Sequence, residues 1–258
     1  MEALLPTFFH YYSGNDLIRI GRNNDGGYLI SKADIEKSNS LISLGISNDW
    51  SFERDFLKHK EIPLFAYDNS ISKVIFFKSI IKSILRFYKI NNILSWPKDV
   101  FQSIKIFFSY LNFFSGNRKH FKKLVGLDTG GINCSMNEIF DTVQSDNIFL
   151  KIDIEGSEYR ILDTLVKFNN KLTGIAIEFH DCDLHLNKIK EFIKNINLNL
   201  VHIHANNFGE VMFKNKLPLT LELTFSRHSR LTDKTFLPHE LDMPNDKFTK
   251  EIEIKIER

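Results

Sequence analysis

Short apolar runs alternate with amphipathic stretches along most of the chain, and this alternation restricts the possible folds more than any other feature. The apolar runs predict strands over residues 41–44, 63–67, 147–152, 174–177, 198–203 and 219–225. The intervening residues 51–60, 157–167 and 186–196 have the period of helices. Such alternation is typical of a mostly parallel sheet with helices on both faces. We therefore predict an α/β fold, in which the last strand can run antiparallel.

Polar residues stand at the carboxyl end of every predicted strand but the last. They are Gly45, Ser47 and Asp49 after the first strand, Asp68 after the second, Asp153 and Glu155 after the third, Glu178 and His180 after the fourth, and His204, Asn206 and Asn207 after the fifth. In open α/β sheets, ligands bind beyond the carboxyl ends of the strands. One polar residue at a strand end is ordinary, but five such ends with carboxylates, imidazoles and amides predict a binding site at this edge.

The segment from Gly45 to Asp68 belongs to a βαβ unit in which a glycine turn follows one strand and an acid follows the next. A glycine turn lets the backbone approach a ligand closely, and the acid can accept hydrogen bonds from ribose hydroxyls. The turn has one glycine rather than the three of the dinucleotide fingerprint, so a nucleoside without a pyrophosphate fits better. The alternatives are a plain tight turn at Gly45 and a helix cap at Asp68.

Five segments share a family pattern, in the order expected for that family. They are residues 19–30 (RIGRNNDGGYLI), 43–53 (SLGISNDWSFE), 149–162 (FLKIDIEGSEYRIL), 177–180 (IEFH) and 202–207 (HIHANN). Together they resemble the FkbM-type S-adenosylmethionine-dependent methyltransferases, and the block at 149–162 is the most specific. The resemblance implies a class I methyltransferase fold, which is Rossmann-like. It also implies S-adenosyl-L-methionine as cofactor and O-methyl transfer, often to hydroxyls of sugars or other secondary metabolites.

The polar residues divide between cofactor, acceptor and catalysis. The candidate cofactor-binding residues are Gly45, Ser47, Asp49, Asp68 and Glu155, to which the resemblance adds Asp25 and Gly26. The candidate acceptor-binding residues are Arg22, Asn206 and Asn207, and the candidate catalytic residues are His180, His204 and Asp153. A sugar hydroxyl is a poor nucleophile at neutral pH, so its proton needs a base, usually a histidine, or a metal. Because His202 alternates with His204, we expect one ring to face the core and that of His204 to face the site.

Carboxylates and an imidazole at neighbouring strand ends also suit a metal. Asp153, Glu178 and His180 are candidate ligands for Mg or Mn, which favour oxygen-rich sites. A metal-free alternative stays open. In it one of the two candidate histidines is the base, Asp153 orients that base or the substrate, and the two asparagines bind the acceptor.

Residues 69–127 form a basic insertion with 11 Lys and Arg residues and one acid, Asp99, a net charge of +10. Lysines spaced among Val, Ile, Leu and Phe predict helices over 73–90 and 100–114, with Pro97 as a break. The core of the insertion, residues 69–120, is expected to be a lid or a dimer face, so a homodimer through residues 73–114 is one hypothesis. A basic surface for a membrane or an anionic partner, and the lining of an anionic substrate pocket, are the alternatives.

The whole chain, 258 residues with a net charge of +2, is 43% hydrophobic, which is typical of one globular domain over residues 1–258. It has no stretch of 18 uncharged apolar residues and no recognisable leader, so we expect a cytoplasmic protein without a membrane span. Outside the insertion, 31 acids against 23 bases disfavour nucleic acid and leave a small sugar-type substrate. The alternative functions are an enzyme with a nucleotide-sugar ligand and a non-catalytic, methyltransferase-like subunit that binds a partner.

Overall fold

The computed structural model describes residues 2–85, 96–126, 128–232 and 237–257. The central sheet consists of β1 (Ser40–Leu44), β2 (Leu64–Tyr67), β3 (Arg118–Phe121), β4 (Ile148–Ile152), β5 (Leu172–Phe179), β6 (Asn199–Ala205) and β7 (Leu221–Ser226). The strand order is β6-β7-β5-β4-β1-β2-β3. All neighbours pair in parallel except β7, which is antiparallel to both β5 and β6. Six of these strands lie where the apolar runs predict them, whereas β3 lies within the basic insertion.

Helices cover both faces of the sheet. They are α1 (Lys32–Lys37), α2 (Ser51–His59), α3 (Lys73–Leu85), α4 (Trp96–Phe113), α5 (Met136–Val143), α6 (Leu162–Lys167) and α7 (Cys182–Asn195). Side chains alternate across each strand, so Leu41 of β1 packs with α1 to α4 on one face. Its neighbour Ile42 packs with α5 to α7 on the other face. The buried strands are therefore apolar on both sides, as their near-continuous apolar sequences predict.

Smaller elements surround the sheet. Four strand pairs join Glu2–Leu5 to Glu253–Ile256, Ser13–Gly14 to Leu231–Thr232, Leu17–Ile20 to Tyr28–Ser31, and Leu124–Gly126 to Asn133–Ser135. Short 3₁₀ turns occupy Thr7–Phe9, Glu158–Arg160 and Asn169–Lys171. The single helix predicted over 157–167 is therefore wrong, since the 3₁₀ turn at Glu158–Arg160 precedes α6. The reason is the buried Glu158 carboxylate, which accepts the backbone N–H groups of Gly156 and His180 and holds this turn inward.

The basic insertion places α3 and α4 side by side as an antiparallel hairpin. The rings of Phe77 and Phe107 lie 6.3 Å apart, and the hydroxyls of Ser83 and Ser103 lie 2.9 Å apart. Pro97 lies in the first turn of α4, where its missing N–H removes no intrahelical bond, so the second helix begins at Trp96 rather than at the predicted residue 100. Residues 86–90 of the predicted first helix lie outside the described residues. Of the helices in the described parts of the chain, none has the length and apolar character needed to cross a bilayer.

Candidate active site

A cleft of about 570 Å³ opens where the carboxyl ends of β1, β2 and β4 meet. Nine of the predicted site residues line it: Arg22, Asp25, Gly26, Gly45, Ser47, Asp49, Asp68, Asp153 and Glu155. All seven candidate cofactor-binding residues are in this set. The structure therefore brings them together, although their roles stay predictions.

The loop after β1 forms the floor of the cleft. Gly45 has a φ of 75°, which is left-handed, and a Cβ atom there would lie 1.7 Å from the carbonyl oxygen of Asp153. Only glycine allows β1 and the end of β4 to approach this closely. Residues Ile46 and Ser47 then donate their backbone N–H groups to Oδ2 of Asp68, at 2.9 and 2.7 Å. Glycine at position 45 is therefore required both for the turn at the floor of the cleft and for the close approach of β1 and β4.

The Asp68 carboxylate holds this loop in place. Its Oδ1 accepts the backbone N–H and the hydroxyl of Ser70, both at 2.6 Å. Burial raises the pKa of Asp68, but these hydrogen bonds and those of the loop outweigh burial and lower it. All four acceptor positions of the carboxylate are thus engaged within the chain. Asp68 lies in the cleft wall as predicted, and a bond to a ribose hydroxyl would require Ser70 to turn away.

Arg22 and Asp49 close the rim of the cleft. Arg22 Nε lies 2.9 Å from Asp49 Oδ2, and the arginine side chain is 60% exposed. Asp25 lies beside them, and burial raises the pKa of its carboxyl. Gly26 has a φ of 81°, and a Cβ atom there would lie 3.2 Å from Asp49. An exposed ion pair of this kind can rearrange when a ligand enters.

Two buried charges in the cleft wall, Lys151 and Glu53, are absent from the sequence prediction. Lys151 of β4 donates from Nζ to the carbonyl of Gly45 at 2.6 Å and to Asp153 Oδ2 at 3.3 Å. Burial lowers the pKa of Lys151, but the charges of Asp153, Glu53 and Glu178 raise it overall. Glu53 of α2 accepts the Ser43 hydroxyl at Oε1, while its buried Oε2 has no partner among the described residues. The sequence held one sign of this pair, because a lysine inside the apolar run 147–152 is expected to be buried and a buried lysine needs an acceptor.

The His180 side chain projects from the end of β5 into a ring of carboxylates. Its Nδ1 lies 3.1 Å from Oε1 of the fully buried Glu158, which also accepts the backbone N–H of His180 at 2.8 Å. Its Nε2 lies 3.5 Å from Glu178 and 3.6 Å from Glu155. Burial lowers the pKa of His180, but Glu158, Glu178 and Asp153 raise it to about 9. The surrounding carboxylates therefore favour the protonated imidazole. The sequence prediction assigned Glu158 no role beyond a favourable charge near a helix start.

The predicted metal ligands are only partly brought together. Asp153, Glu155 and His180 each offer one ligand atom, and these atoms lie within 4.8 Å of one another. Glu178 instead accepts the Tyr28 hydroxyl at 3.1 Å and the Asn206 amide at 2.9 Å. Burial and the charges of Asp153 and Glu222 raise the pKa of Glu178. Glu155 therefore takes the place that the prediction gave to Glu178.

The predicted orientation of His204 is wrong. Residues two apart in a strand face the same side, so His202 and His204 lie with their rings stacked 6.5 Å apart. His204 Nδ1 lies 3.1 Å from Glu222 and Nε2 lies 2.9 Å from Glu251, away from the cleft lining. Burial lowers the pKa of His204, but these carboxylates raise it to about 10. Because carboxylates engage both ring nitrogens, His204 has no free nitrogen to act as a base.

The predicted acceptor-binding asparagines are also placed differently. Asn206 donates to Glu178 and accepts the backbone N–H of Phe208. Asn207 donates to the carbonyls of Asp246 and Thr249 and accepts the backbone N–H of Asp246. Both side chains are buried and neither lines the cleft. Their amides instead form hydrogen bonds that hold the loop after β6 and the C-terminal segment in place.

The sheet order decides the fold. Counted from β1, the order 3-2-1-4-5-7-6 with an antiparallel seventh strand is that of the class I methyltransferases. The chain has the class I methyltransferase fold. The prediction made from the strand pattern and the resemblance is thereby confirmed.

No protein-family model matches the sequence, and no curated protein matches it. The comparison with solved structures gives matches at low identity. A candidate RNA methyltransferase from Pyrococcus horikoshii is 11% identical with a TM-score of 0.40, over 74% of this chain and 76% of the other. A precorrin-6y C5,15-methyltransferase from Geobacter metallireducens is 12% identical with a TM-score of 0.37, over 75% and 86%. An rRNA methylase from Streptococcus thermophilus is 11% identical with a TM-score of 0.38, over 76% and 92%.

Proposed function

We propose that the protein is an S-adenosylmethionine-dependent methyltransferase that binds its methyl donor in the cleft. The observation that carries the proposal is the charge of the lining, where six carboxylates face three cations. S-adenosylmethionine carries a sulfonium and an ammonium cation, which such a lining attracts. A nucleotide sugar carries a diphosphate, which it repels. The charge thus favours the methyl donor over the alternative ligand.

Two features of the lining fit a nucleoside with an amino-acid arm. The glycine loop brings backbone close to the ligand without a side chain in the way. The buried Glu53 Oε2 is an acceptor that lacks a donor among the described residues, and a buried acceptor of this kind gains from a ligand N–H group. When bound, the donor supplies a methyl group on a sulfonium, which is already a good electrophile.

The acceptor, we infer, is a hydroxyl of a sugar or a sugar-containing metabolite, with the FkbM-type resemblance as the support. The proton of that hydroxyl has to leave as the methyl group transfers. His180 is a poor candidate for the base because its pKa is raised to about 9. Asp153 lines the cleft and lies 3.3 Å from Lys151. We assign it the role of proton acceptor, and we assign His180, whose Nε2 lies 4.0 Å from Asp153 and which does not line the cleft, the role of a positive charge behind that carboxylate.

The same residues fit a Mg or Mn ion as an optional second component. Asp153, Glu155 and His180 would hold it, and Glu158 would orient the imidazole through Nδ1, as carboxylates commonly do for metal-bound histidines. The ion would lower the pKa of a bound hydroxyl. His180 has to be neutral to bind it, so binding would release a proton.

The cofactor assignment is tested by calorimetric titration with S-adenosylhomocysteine. The test variant is Asp68→Asn, which removes the charge in the cleft wall. The matched control is Asp16→Asn, because Asp16 also accepts two hydroxyls and a backbone N–H but lies outside the cleft. We expect micromolar binding by the wild-type protein and the control, and binding at least tenfold weaker by Asp68→Asn.

Catalysis is tested separately by transfer of a labelled methyl group to a panel of sugars and sugar nucleotides. Asp153→Asn should bind S-adenosylhomocysteine within about threefold of the wild type, since an amide keeps the shape, and should lose at least about 100-fold in rate. Absence of any S-adenosylhomocysteine binding by the wild-type protein would refute the proposal and favour a non-catalytic subunit. Binding without transfer to any sugar would refute only the acceptor class.

A further inference from the structure

The α3–α4 hairpin presents a continuous apolar stripe on its outer side. In α3 the side chains of Val74, Phe77, Ile81, Ile84 and Leu85 are 42–60% exposed. Their spacing of three and four residues places them on one face of the helix. Phe76 of the same helix is buried and packs against Trp50, so this stripe is not the face that anchors α3 to the fold.

The second helix extends the same surface. Phe101 and Phe108 of α4 are 68% and 56% exposed and lie seven residues apart, on one side of the helix. Phe77 contacts Phe107 across the hairpin, and Phe107 contacts Phe108, so the two stripes join through aromatic rings. The opposite side of α4 is fastened by Tyr110 and Phe113, which are buried. Contiguous exposed apolar surface of this kind marks an interaction site.

Lysines border the stripe. Lys73, Lys78 and Lys82 of α3 and Lys98 and Lys105 of α4 are exposed, and the acid on these helices is Asp99. On α3 the positions of Lys78 and Lys82 follow one residue after Phe77 and Ile81, so the cations flank the apolar face. Apolar side chains between flanking lysines suit an interface with anionic lipid, where the stripe enters the acyl boundary and the ammonium groups meet phosphates.

The same charge argues against self-association. Two copies of the hairpin, each with five exposed lysines and one acid on α3 and α4, would repel one another across a twofold interface. Neither α3 nor α4 is long and apolar enough to cross a bilayer. The hairpin is therefore suited to lie on a membrane surface.

We propose that the α3–α4 hairpin is a docking surface for membranes that contain anionic phospholipid. The apolar stripe inserts into the acyl boundary of the bilayer, and the lysines make binding selective for anionic headgroups. Anchoring of the hairpin by Trp50, next to Asp49 of the cleft rim, holds that rim near the membrane. The proposal is independent of methyl transfer, since it concerns a different surface.

The test is co-sedimentation of the full chain with vesicles of phosphatidylcholine alone and with 30% phosphatidylglycerol. Two double variants probe the surface, Phe77→Ser with Phe108→Ser and Lys78→Glu with Lys105→Glu. Their matched controls are Phe213→Ser with Phe248→Ser, which are 102% and 86% exposed, and Lys190→Glu with Lys194→Glu on α7. All eight positions lie outside the cleft lining, and circular dichroism with thermal unfolding serves as the check on folding.

We expect binding to the anionic vesicles and little to phosphatidylcholine alone. Each hairpin variant should bind at least about tenfold more weakly, and the controls should bind like the wild type. Salt at 0.5 M should weaken the wild type, because it screens the lysines. Absence of binding to anionic vesicles, or equal loss in the control variants, would overturn the proposal. A dimer seen by light scattering that the Phe77/Phe108 variant dissociates, without vesicle binding, would identify the surface as a self-association face instead.

Discussion

Replacement of Glu158 by Gln tests how the structure positions His180. Glu158 is fully buried, and its Oε1 accepts the His180 backbone N–H at 2.8 Å and faces Nδ1 at 3.1 Å. Its Oε2 accepts the Gly156 N–H at 2.9 Å. Glutamine has the same shape but only one acceptor oxygen. If that oxygen stays with His180, the amide N–H₂ group faces the N–H of Gly156, and two donors are left opposed.

The magnitude follows from the number of bonds lost. A hydrogen bond to a charged group contributes about 1.5–3 kcal/mol, and a buried donor without a partner costs about 1–3 kcal/mol. Since glutamine also removes a buried charge, part of this is offset, and we expect Glu158→Gln to lower the free energy of unfolding by about 2 kcal/mol. The pKa of His180 should fall as well, because the bond to Glu158 is the foremost of the interactions that raise it.

Urea denaturation followed by tryptophan fluorescence measures the stability, and NMR titration of the imidazole measures the pKa. Glu155→Gln is the matched control, since Glu155 also lies beside His180 but its side chain is 86% exposed. The control should change the stability by less than about 0.5 kcal/mol. Equal stability of Glu158→Gln and the wild type, or an unchanged His180 pKa, would show that Glu158 does not hold the imidazole.

Two further predictions concern the backbone of the cleft and the buried histidine cluster. Gly45→Ala should destabilise the fold far more than Gly116→Ala in urea denaturation. Both glycines have positive φ, but an added Cβ atom would meet a backbone atom, at 1.7 Å, only at Gly45. Similar losses of stability in the two variants would refute the clash. The folded-state pKa of His204, about 10, lies above the ordinary value of 6.5, so its pairing stabilises the fold fully below pH 6.5. That stabilisation should decline as pH rises toward 10. His204→Gln should lack this decline in urea denaturation, and an identical pH profile would contradict the pairing.

Much of the fold follows from local sequence. The hydrophobic period distinguishes strands from helices over a few residues, and alternation of the two requires a parallel sheet. The polar strand ends then have to meet at one edge, which is why the residues predicted for the cofactor, from Gly45 to Glu155, all line one cleft. Ser135 shows the same locality in capping, since it begins α5 with a capping box completed by Glu138.

The sequence alone does not reveal hydrogen-bond and ion-pair partners that lie far apart in the chain. His204 is paired with Glu251, 47 residues away, and Asn207 is tied to the carbonyl of Thr249, 42 residues away. Both side chains looked available because nothing nearby in the chain engages them. The partners of Lys151 and Glu158 are remote as well, since Lys151 bonds to Gly45, 106 residues away, and Glu158 bonds to His180, 22 residues away.

The sequence by itself determined the strand and helix order, the edge at which polar residues collect, and the basic apolar character of the insertion, because these depend on period and composition. Only the tertiary structure decided which of those polar groups are free to meet a ligand. Both nitrogens of His204 are paired with carboxylates inside the fold, whereas Asp153 accepts from Lys151 and still lines the cleft. The choice between these outcomes depends on distances between segments remote in the chain, and such distances exist only once the sheet has formed.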